Sequence, residues 1–261
     1  MSRFFIYGTL PSLEFKVKPE ISSRALSELF ELNLGKITMR KVEVMRRWID
    51  IINIYEILNE GNFDKRGNYS KSTIKALLAN EEELPRYVFD FFHEYEEVED
   101  RRDHFSKVIA HYFCEEKKGA RGLLKEFLVF EHALRILIAG FRARKGGRDL
   151  ARELQYEDVD DPIVAAVLMQ KDRGGKFQFP IDYEDLEKVL EDVGSDPSKQ
   201  YEGIARYRFE FYMKYFTNSF FSLEGIIAYM LALWILEDFF VLKRDEGERE
   251  LRNIVEREHG T

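Results

Sequence analysis

Apolar residues recur every three to four positions along most of the chain, and this spacing predicts an all-α protein. Two such stripes are Met45, Trp48, Ile49, Ile52 and Tyr55, and Phe127, Phe130, Leu134, Leu137 and Phe141. Only Arg3–Tyr7 and Lys176–Phe179 have the alternation that could make a short strand. We therefore expect a multi-helix protein, in which Asp161 caps a helix that Pro162 begins.

The loops between the predicted helices are short, so we expect residues 1–261 to form a single continuous helical domain. Residues 42–61, 127–146 and 226–247 nevertheless share a shape, since each is an apolar helix that becomes charged and closes on glycine. Ordinary core helices also end in this way. Two interpretations stay open: no repeat at all, or three divergent pseudo-repeated helical bundles near residues 20–80, 85–150 and 160–256.

The segment Ile226–Leu236 is a run of eleven apolar residues bounded by Glu224 and Glu237. As a helix it would span only ~16 Å, whereas a bilayer core needs ~20 residues. We expect it to be buried inside protein, with no direct insertion into a membrane. The single cysteine and the absence of a signal-peptide core favour a cytoplasmic location.

Few residues suggest catalysis. His104, His111 and Cys114 could share one helix face, but a zinc site would need a further ligand pair. Asp90-Phe91-Phe92-His93 is a single poor match to the paired motif of di-iron bundles, and no glycine-rich phosphate loop is present. We expect a protein that is not an enzyme, with no catalytic residue, metal, cofactor or small-molecule substrate. A helical-bundle enzyme with an unrecognised carboxylate or histidine site is the alternative.

A basic cluster follows the second apolar stripe, although the chain as a whole carries a net charge of −8. Its members are Arg142, Arg144, Lys145, Arg148 and Arg152. They could simply neutralise the negative end of the preceding helix in solvent. The alternative is that they form a binding surface for an acidic protein partner. Nucleic acid is not expected as a partner, because aromatic residues are not interleaved with these charges.

Three segments resemble a family of uncharacterised bacterial proteins that are typically encoded in V-type (A/V-type) ATPase operons. They are Phe4-Phe5-Ile6-Tyr7 with Leu10-Pro11-Ser12-Leu13, residues 127–168, and residues 222–256. They cover about half of the chain and keep their order from end to end. The resemblance implies association with the subunits of such an ATPase.

The last segment is also similar to the final helical repeat of the C-type adaptor of V-type ATPases, which is called d in eukaryotes. Ala228-Tyr229-Met230-Leu231 matches one element of that repeat, whereas Leu236-Glu237-Asp238-Phe239-Phe240 keeps only the acid of the next. The resemblance implies a non-catalytic adaptor between the central stalk and the membrane ring, built from three helical bundles and located at the membrane periphery through the complex. A free-standing assembly or regulatory factor of the ATPase is the alternative that the resemblance leaves open.

Overall fold

The computed structural model describes residues 3–80, 83–171, 175–192, 196–219 and 221–259, and side chains between residues 4 and 243 of these ranges. Across them the chain forms thirteen α-helices and one 3₁₀ turn, with no strand. The prediction of an all-α fold is confirmed. The two candidate strands are wrong: Arg3–Tyr7 lies in a helix that buries Ile6, and residues 176–179 are irregular.

The chain divides into two compact units, and the first contains both ends of the sequence: residues 1–39 and residues 183–261. Its helices are α1 (Arg3–Thr9), α2 (Ser23–Asn33), α11 (Glu184–Asp192), α12 (Pro197–Asn218) and α13 (Leu223–His259). Helix α12 packs against α11 and extensively against α13, while α13 also contacts α1 and α2. The two terminal segments thus build one unit together.

The second unit comprises residues 40–182. Its helices are α3 (Lys36–Leu58, which begins just before the unit), α4 (Lys71–Asn80), α5 (Arg86–Glu94), α6 (Val98–His104), α7 (Ser106–Lys117), α8 (Leu123–Lys145), α9 (Leu150–Glu153) and α10 (Pro162–Leu168). The 3₁₀ turn, Ile181–Tyr183, lies at its end. Helix α8 packs against α7, α9 and α10, so it is central to this unit.

The core of the first unit is centred on α13, and every residue from Ile226 to Leu236 is buried, as predicted. Buried hydroxyls attach the N-terminal segment to this core. The Tyr7 hydroxyl donates to the Ser219 carbonyl at 2.9 Å, and the Tyr229 hydroxyl donates to the Pro11 carbonyl at 2.8 Å. These bonds satisfy polar groups that burial would otherwise leave without water.

The expectation that this segment is too short to span a membrane needs correction, because the apolar run continues into a 37-residue helix. Among the described residues, Leu223–Lys243 alone is long and apolar enough to cross a membrane, with a mean hydropathy of 1.9. However, 72% of its most apolar window is buried inside the protein. Such burial is typical of the core helix of a soluble protein.

The core of the second unit confirms the stripe predicted on α8. Phe127, Phe130, Leu134, Leu137 and Phe141 are all buried. Helix α8 also approaches its neighbours closely at Gly140. A Cβ atom there would lie 2.8 Å from side-chain carbons of both Val167 and Phe177.

The stripe predicted on α3 is only partly right. Met45 and Ile49 are buried, but Tyr55 is 37% exposed. The buried surface of this helix instead includes Asp50 and Asn53, which are 1% and 0% exposed. A rule based on apolar spacing cannot assign polar residues to a core, because it treats every polar residue as solvent-exposed.

The three segments of the suggested repeat differ in how they end. Helices α3 and α8 stop shortly before Gly61 and at Lys145, whereas α13 continues through Gly247 to His259. The shared glycine ending is therefore wrong for the third segment. The pseudo-repeat itself stays a prediction.

Candidate functional site

The predicted basic cluster lies where α8 ends and α9 begins, and two glycines shape this turn. Gly147 adopts a φ of 66°, which side-chain-bearing residues rarely adopt. The N–H of Arg148 donates to the Ala143 carbonyl at 2.8 Å, and the Gly147 N–H donates to the Arg144 carbonyl at 3.3 Å. This pair of bonds is a Schellman motif, which ends the helix and turns the chain towards α9.

The five basic residues do not form one uniform surface. Arg144 is half-buried and donates to the main-chain carbonyl of Gln170, so it connects α8 to the segment after α10. Arg148 pairs with Glu153 at 2.5 Å, and the Lys145 ammonium lies 5.9 Å from the centre of the Phe141 ring. These three side chains are partly committed to contacts within the protein.

Arg142 and Arg152 are exposed, and neither has a partner among the residues that the structure describes. Both therefore present full positive charges to solvent. The part of the cluster that remains available to an outside partner is centred on these two arginines, not on all five residues.

The His and Cys residues considered as metal ligands are separated by the structure. His104 ends α6, where its Nδ1 lies 2.5 Å from the Tyr156 hydroxyl and its ring stacks on Tyr95. His111 and Cys114 lie on α7, a separate helix. Within the described part of the chain, no group of three or more His, Cys, Asp or Glu side chains is placed to hold a metal ion.

His111 lines a cavity of about 570 Å³ beside α5 and α7. The lining also includes Tyr87, Phe91, Glu94, Lys107 and Glu116. Lys107 and Glu94 form an ion pair at 2.6 Å, and Glu116 pairs with Arg47 on α3. Most of the charge around this cavity is therefore neutralised locally.

The polar groups that remain in this cavity belong to Tyr87 and His111, whose rings stack with centroids 6.4 Å apart. His111 uses Nδ1 in a 2.9 Å contact with the Lys107 carbonyl. The Tyr87 hydroxyl is buried and has no hydrogen-bond partner within the described residues. Burial, and then the charge of Glu116, raise the pKa of Tyr87, so its hydroxyl stays protonated. Motif spacing does not reveal this pair, because the two residues lie on different helices.

A second polar cluster is buried around His132 on α8. Its Nε2 lies 2.8 Å from Oε2 of Glu157, which also accepts from Arg135. Its Nδ1 lies 3.5 Å from Oδ2 of Asp161, and Lys117 pairs with the same carboxylate at 2.8 Å. Asp161 also caps α10, as predicted, by accepting from the N–H groups of residues 163 and 164.

Burial alone would raise the pKa values of both carboxylic acids in this cluster. Hydrogen bonds from His132 and the nearby cations outweigh that effect, and the pKa of Glu157 falls below its ordinary value. The pKa of Asp161 is lowered much further by His132 and Lys117. Because each charge faces a partner, the cluster joins α7, α8 and α10 and offers no free group for chemistry.

Similarity to known sequences places the chain in a family. The family model described as "Protein of unknown function (DUF2764)" matches residues 1–260. The chain belongs to this family. Because the DUF2764 match runs almost from end to end, it includes both compact units.

Relatives of this DUF2764 chain occur in Chlamydia. A protein of Chlamydia pneumoniae is 26% identical over 260 residues, which cover 97% of each chain. A protein of Chlamydia trachomatis is 25% identical over 240 residues, or 88% of this chain and 90% of the relative. One from Chlamydia muridarum is 24% identical over the same shares. Each is named as an uncharacterized protein, and no solved structure matches this chain.

Proposed function

We propose that this protein is a non-catalytic subunit or accessory protein of a rotary V/A-type ATPase, comparable to the C-type adaptor between central stalk and membrane ring. The observation that carries the proposal is the pair of exposed arginines, unpartnered within the described residues, at the end of α8 and the start of α9, Arg142 and Arg152. Such charges on a protein of net charge −8 favour an acidic partner surface. The choice of an ATPase as that partner is supported by the resemblance of residues 4–13, 127–168 and 222–256.

The proposal is tested with a tagged chain used to capture ATPase subunits from native membranes. The double variant Arg142→Glu/Arg152→Glu should remain folded and capture much less ATPase, with the largest difference at low salt. Arg121→Glu/Lys125→Glu is the matched control. It makes the same charge change at the opposite end of α8, on residues that are also exposed and unpartnered in the described structure.

Loss of capture in the cluster variant alone supports the docking surface. Equal capture by both variants would show that the cluster only neutralises the end of α8. If the unaltered chain captures no ATPase subunit, the ATPase proposal is wrong. Recovery in stoichiometric amounts with the intact complex distinguishes a permanent subunit from an assembly or regulatory factor, which would accompany incomplete complexes only.

The cavity beside α5 and α7 favours a second candidate function, an enzyme that uses His111. Its Nδ1 is held by a main-chain carbonyl, which leaves Nε2 as the nitrogen that could exchange a proton with a ligand. A metal bound to the purified protein and lost from a His104→Ala/His111→Ala variant would support this candidate. Metal-free protein that captures ATPase subunits would support the adaptor.

A further inference from the structure

An open groove of about 800 Å³ lies on the second unit, and residues 63–75 alone form its lining. We call it the lysine groove, and its lining residues are Phe63, Lys65, Gly67, Asn68, Tyr69, Ser70, Lys71, Ser72 and Lys75. The residues come from the loop after α3 and the first turns of α4. Its volume is within the range typical of small-molecule sites.

The charge of the lysine groove is positive throughout. Lys65, Lys71 and Lys75 are exposed and have no ion-pair partner within the described ranges of the chain. No carboxylate contributes to the lining. By contrast, Lys107 in the cavity beside α7 is paired with Glu94. Three unpaired ammonium groups around one groove, in a protein of net charge −8, create a local site for an anion.

The loop that carries the groove is held in place by two buried polar residues of α3. Asp50 accepts from the Asn68 N–H at 2.8 Å, from the Asn68 amide at 2.7 Å and from the Tyr69 N–H at 3.3 Å. Asn53 exchanges two 2.8 Å bonds with the main chain of Asp64. The backbone passes so close to α3 that a Cβ atom on Gly67 would lie 2.3 Å from Oδ1 of Asp50. The groove is therefore formed before any ligand arrives, which reduces the entropy cost of binding.

Two rings give the groove an apolar part. Phe63 and Tyr69 are both half-buried, so each keeps part of its ring accessible. Burial, and then the charge of Glu83, raise the pKa of Tyr69, so its phenol adds no negative charge near the lysines. The Ser70 hydroxyl already accepts from the Thr73 N–H at 3.1 Å, and the positive charge of the groove therefore comes from its lysines.

We propose that the lysine groove binds a small phosphorylated ligand that carries a flat ring, a nucleotide being the chemical class. The ammonium groups of Lys65, Lys71 and Lys75 would contact the phosphates, and Phe63 and Tyr69 would stack on the ring. Such a site does not need the glycine-rich loop that the sequence lacks, because side-chain charges replace backbone N–H groups. It departs from the expectation of no small-molecule ligand, and it is independent of Arg142 and Arg152.

The full-length protein is titrated with ATP, inorganic pyrophosphate and adenosine by calorimetry. We expect saturable ATP binding in the micromolar to millimolar range, with pyrophosphate and adenosine each binding at least about tenfold more weakly. Lys71→Gln/Lys75→Gln should weaken ATP binding by at least about tenfold. Arg121→Gln/Lys125→Gln removes two charges elsewhere that are exposed and unpaired in the described part of the chain, and it should leave the affinity unchanged.

The ring contact has its own arm in the test. Phe63→Ala should weaken ATP binding and leave pyrophosphate binding unchanged. The proposal is overturned if ATP shows no saturable binding up to about 5 mM, or if the lysine variant and its control bind equally. Pyrophosphate that binds as tightly as ATP would overturn the assignment of a ring-bearing ligand.

Discussion

Among single residues, Glu157 and Asp161 make a specific contribution to stability that depends on pH. Both carboxyl groups have lowered pKa values in the folded protein, relative to ordinary values of 4.5 and 3.8. Groups of this kind stabilise the folded state above their unfolded pKa values and lose that contribution as the pH falls. Partners of both carboxylates lie on different helices, so their protonation would weaken the contacts of α8 with its neighbours.

We therefore expect the free energy of unfolding to be nearly constant between pH 7 and about pH 5 and to decrease below about pH 4.5. Glu157→Gln should cost about 1–3 kcal/mol at pH 7 and make the remaining acid dependence shallower. Urea unfolding at a series of pH values measures both effects. Asp185→Asn removes an exposed carboxylate whose pKa is also lowered, by Lys188, and should change little. Identical pH curves for the parent and Glu157→Gln would contradict the expectation.

Arg144 and Arg142 carry the same charge two residues apart but should differ in their effect on folding. Arg144 donates to the Gln170 carbonyl, whereas Arg142 is exposed and without a partner in the described structure. Arg144→Glu should therefore lower the free energy of unfolding by about 1–2 kcal/mol, while Arg142→Glu should leave it within about 0.5 kcal/mol. Denaturant titration of the two variants compares them directly. Equal losses would mean that Arg144 does not hold Gln170.

The sequence predicted the position of these basic residues but not their different contacts. The glycines and charges mark a helix end by local rules, and the structure has that end at Lys145. Gln170 lies 26 residues from Arg144, and no local rule pairs them. His104 and His111 show the same limit, because their spacing matches one helix only if the helix continues past Phe105, where α7 begins anew.

For the helical elements, the Schellman motif after α8 provides a direct test. Gly147 has open space around it, so a larger residue there meets no clash but must still adopt a φ of 66°. We expect Gly147→Ala to cost about 1 kcal/mol because of this backbone strain. Gly8→Ala is the control, since Gly8 also has open space but lies inside α1 at an ordinary φ. That variant should be neutral or slightly stabilising in thermal unfolding, and a loss equal to that of Gly147→Ala would argue against strain.

Two helices show how far apolar spacing predicts an element. Every predicted stripe residue of α8 is buried, because the helix is surrounded by apolar neighbours. Helix α3 instead buries Asp50 and Asn53, whose hydrogen bonds to the following loop compensate their burial. A loop rich in Asn, Asp and Gly, immediately after a helix with two polar residues on its apolar side, was the signal for this arrangement. Apolar spacing alone cannot detect that signal.

For the molecule as a whole, the stability of the first unit should depend on the apolar part of α13. Leu233 is 0% exposed near the middle of the buried segment. Leu233→Asp should therefore cost more than about 4 kcal/mol and abolish cooperative unfolding of this unit. The measurement is circular dichroism of protein purified without detergent. Parent protein that can be extracted only with detergent would contradict burial within the protein and would favour contact with lipid.

The sequence suggested one continuous body because it contains no flexible linker. The boundary between the two units falls between Met39 and Arg40, inside α3, where helical spacing continues without interruption. Composition cannot reveal a division of this kind. The joining of both chain ends in one unit is equally hidden, since it depends on contacts between residues about two hundred positions apart, such as Tyr7 and Ser219.

That joining has a consequence for synthesis on the ribosome. Residues 1–39 emerge first, yet the helices that cover them, α12 and α13, are the last to be translated. At about 5–20 residues per second, the 143 residues of the second unit occupy the ribosome for roughly 7–30 s before those partners begin to appear. During that interval α1 and α2 expose apolar side chains, including Ile6 and Phe30, that are later buried. The nascent chain therefore carries an adhesive N-terminal segment, for which a chaperone would be the natural temporary cover.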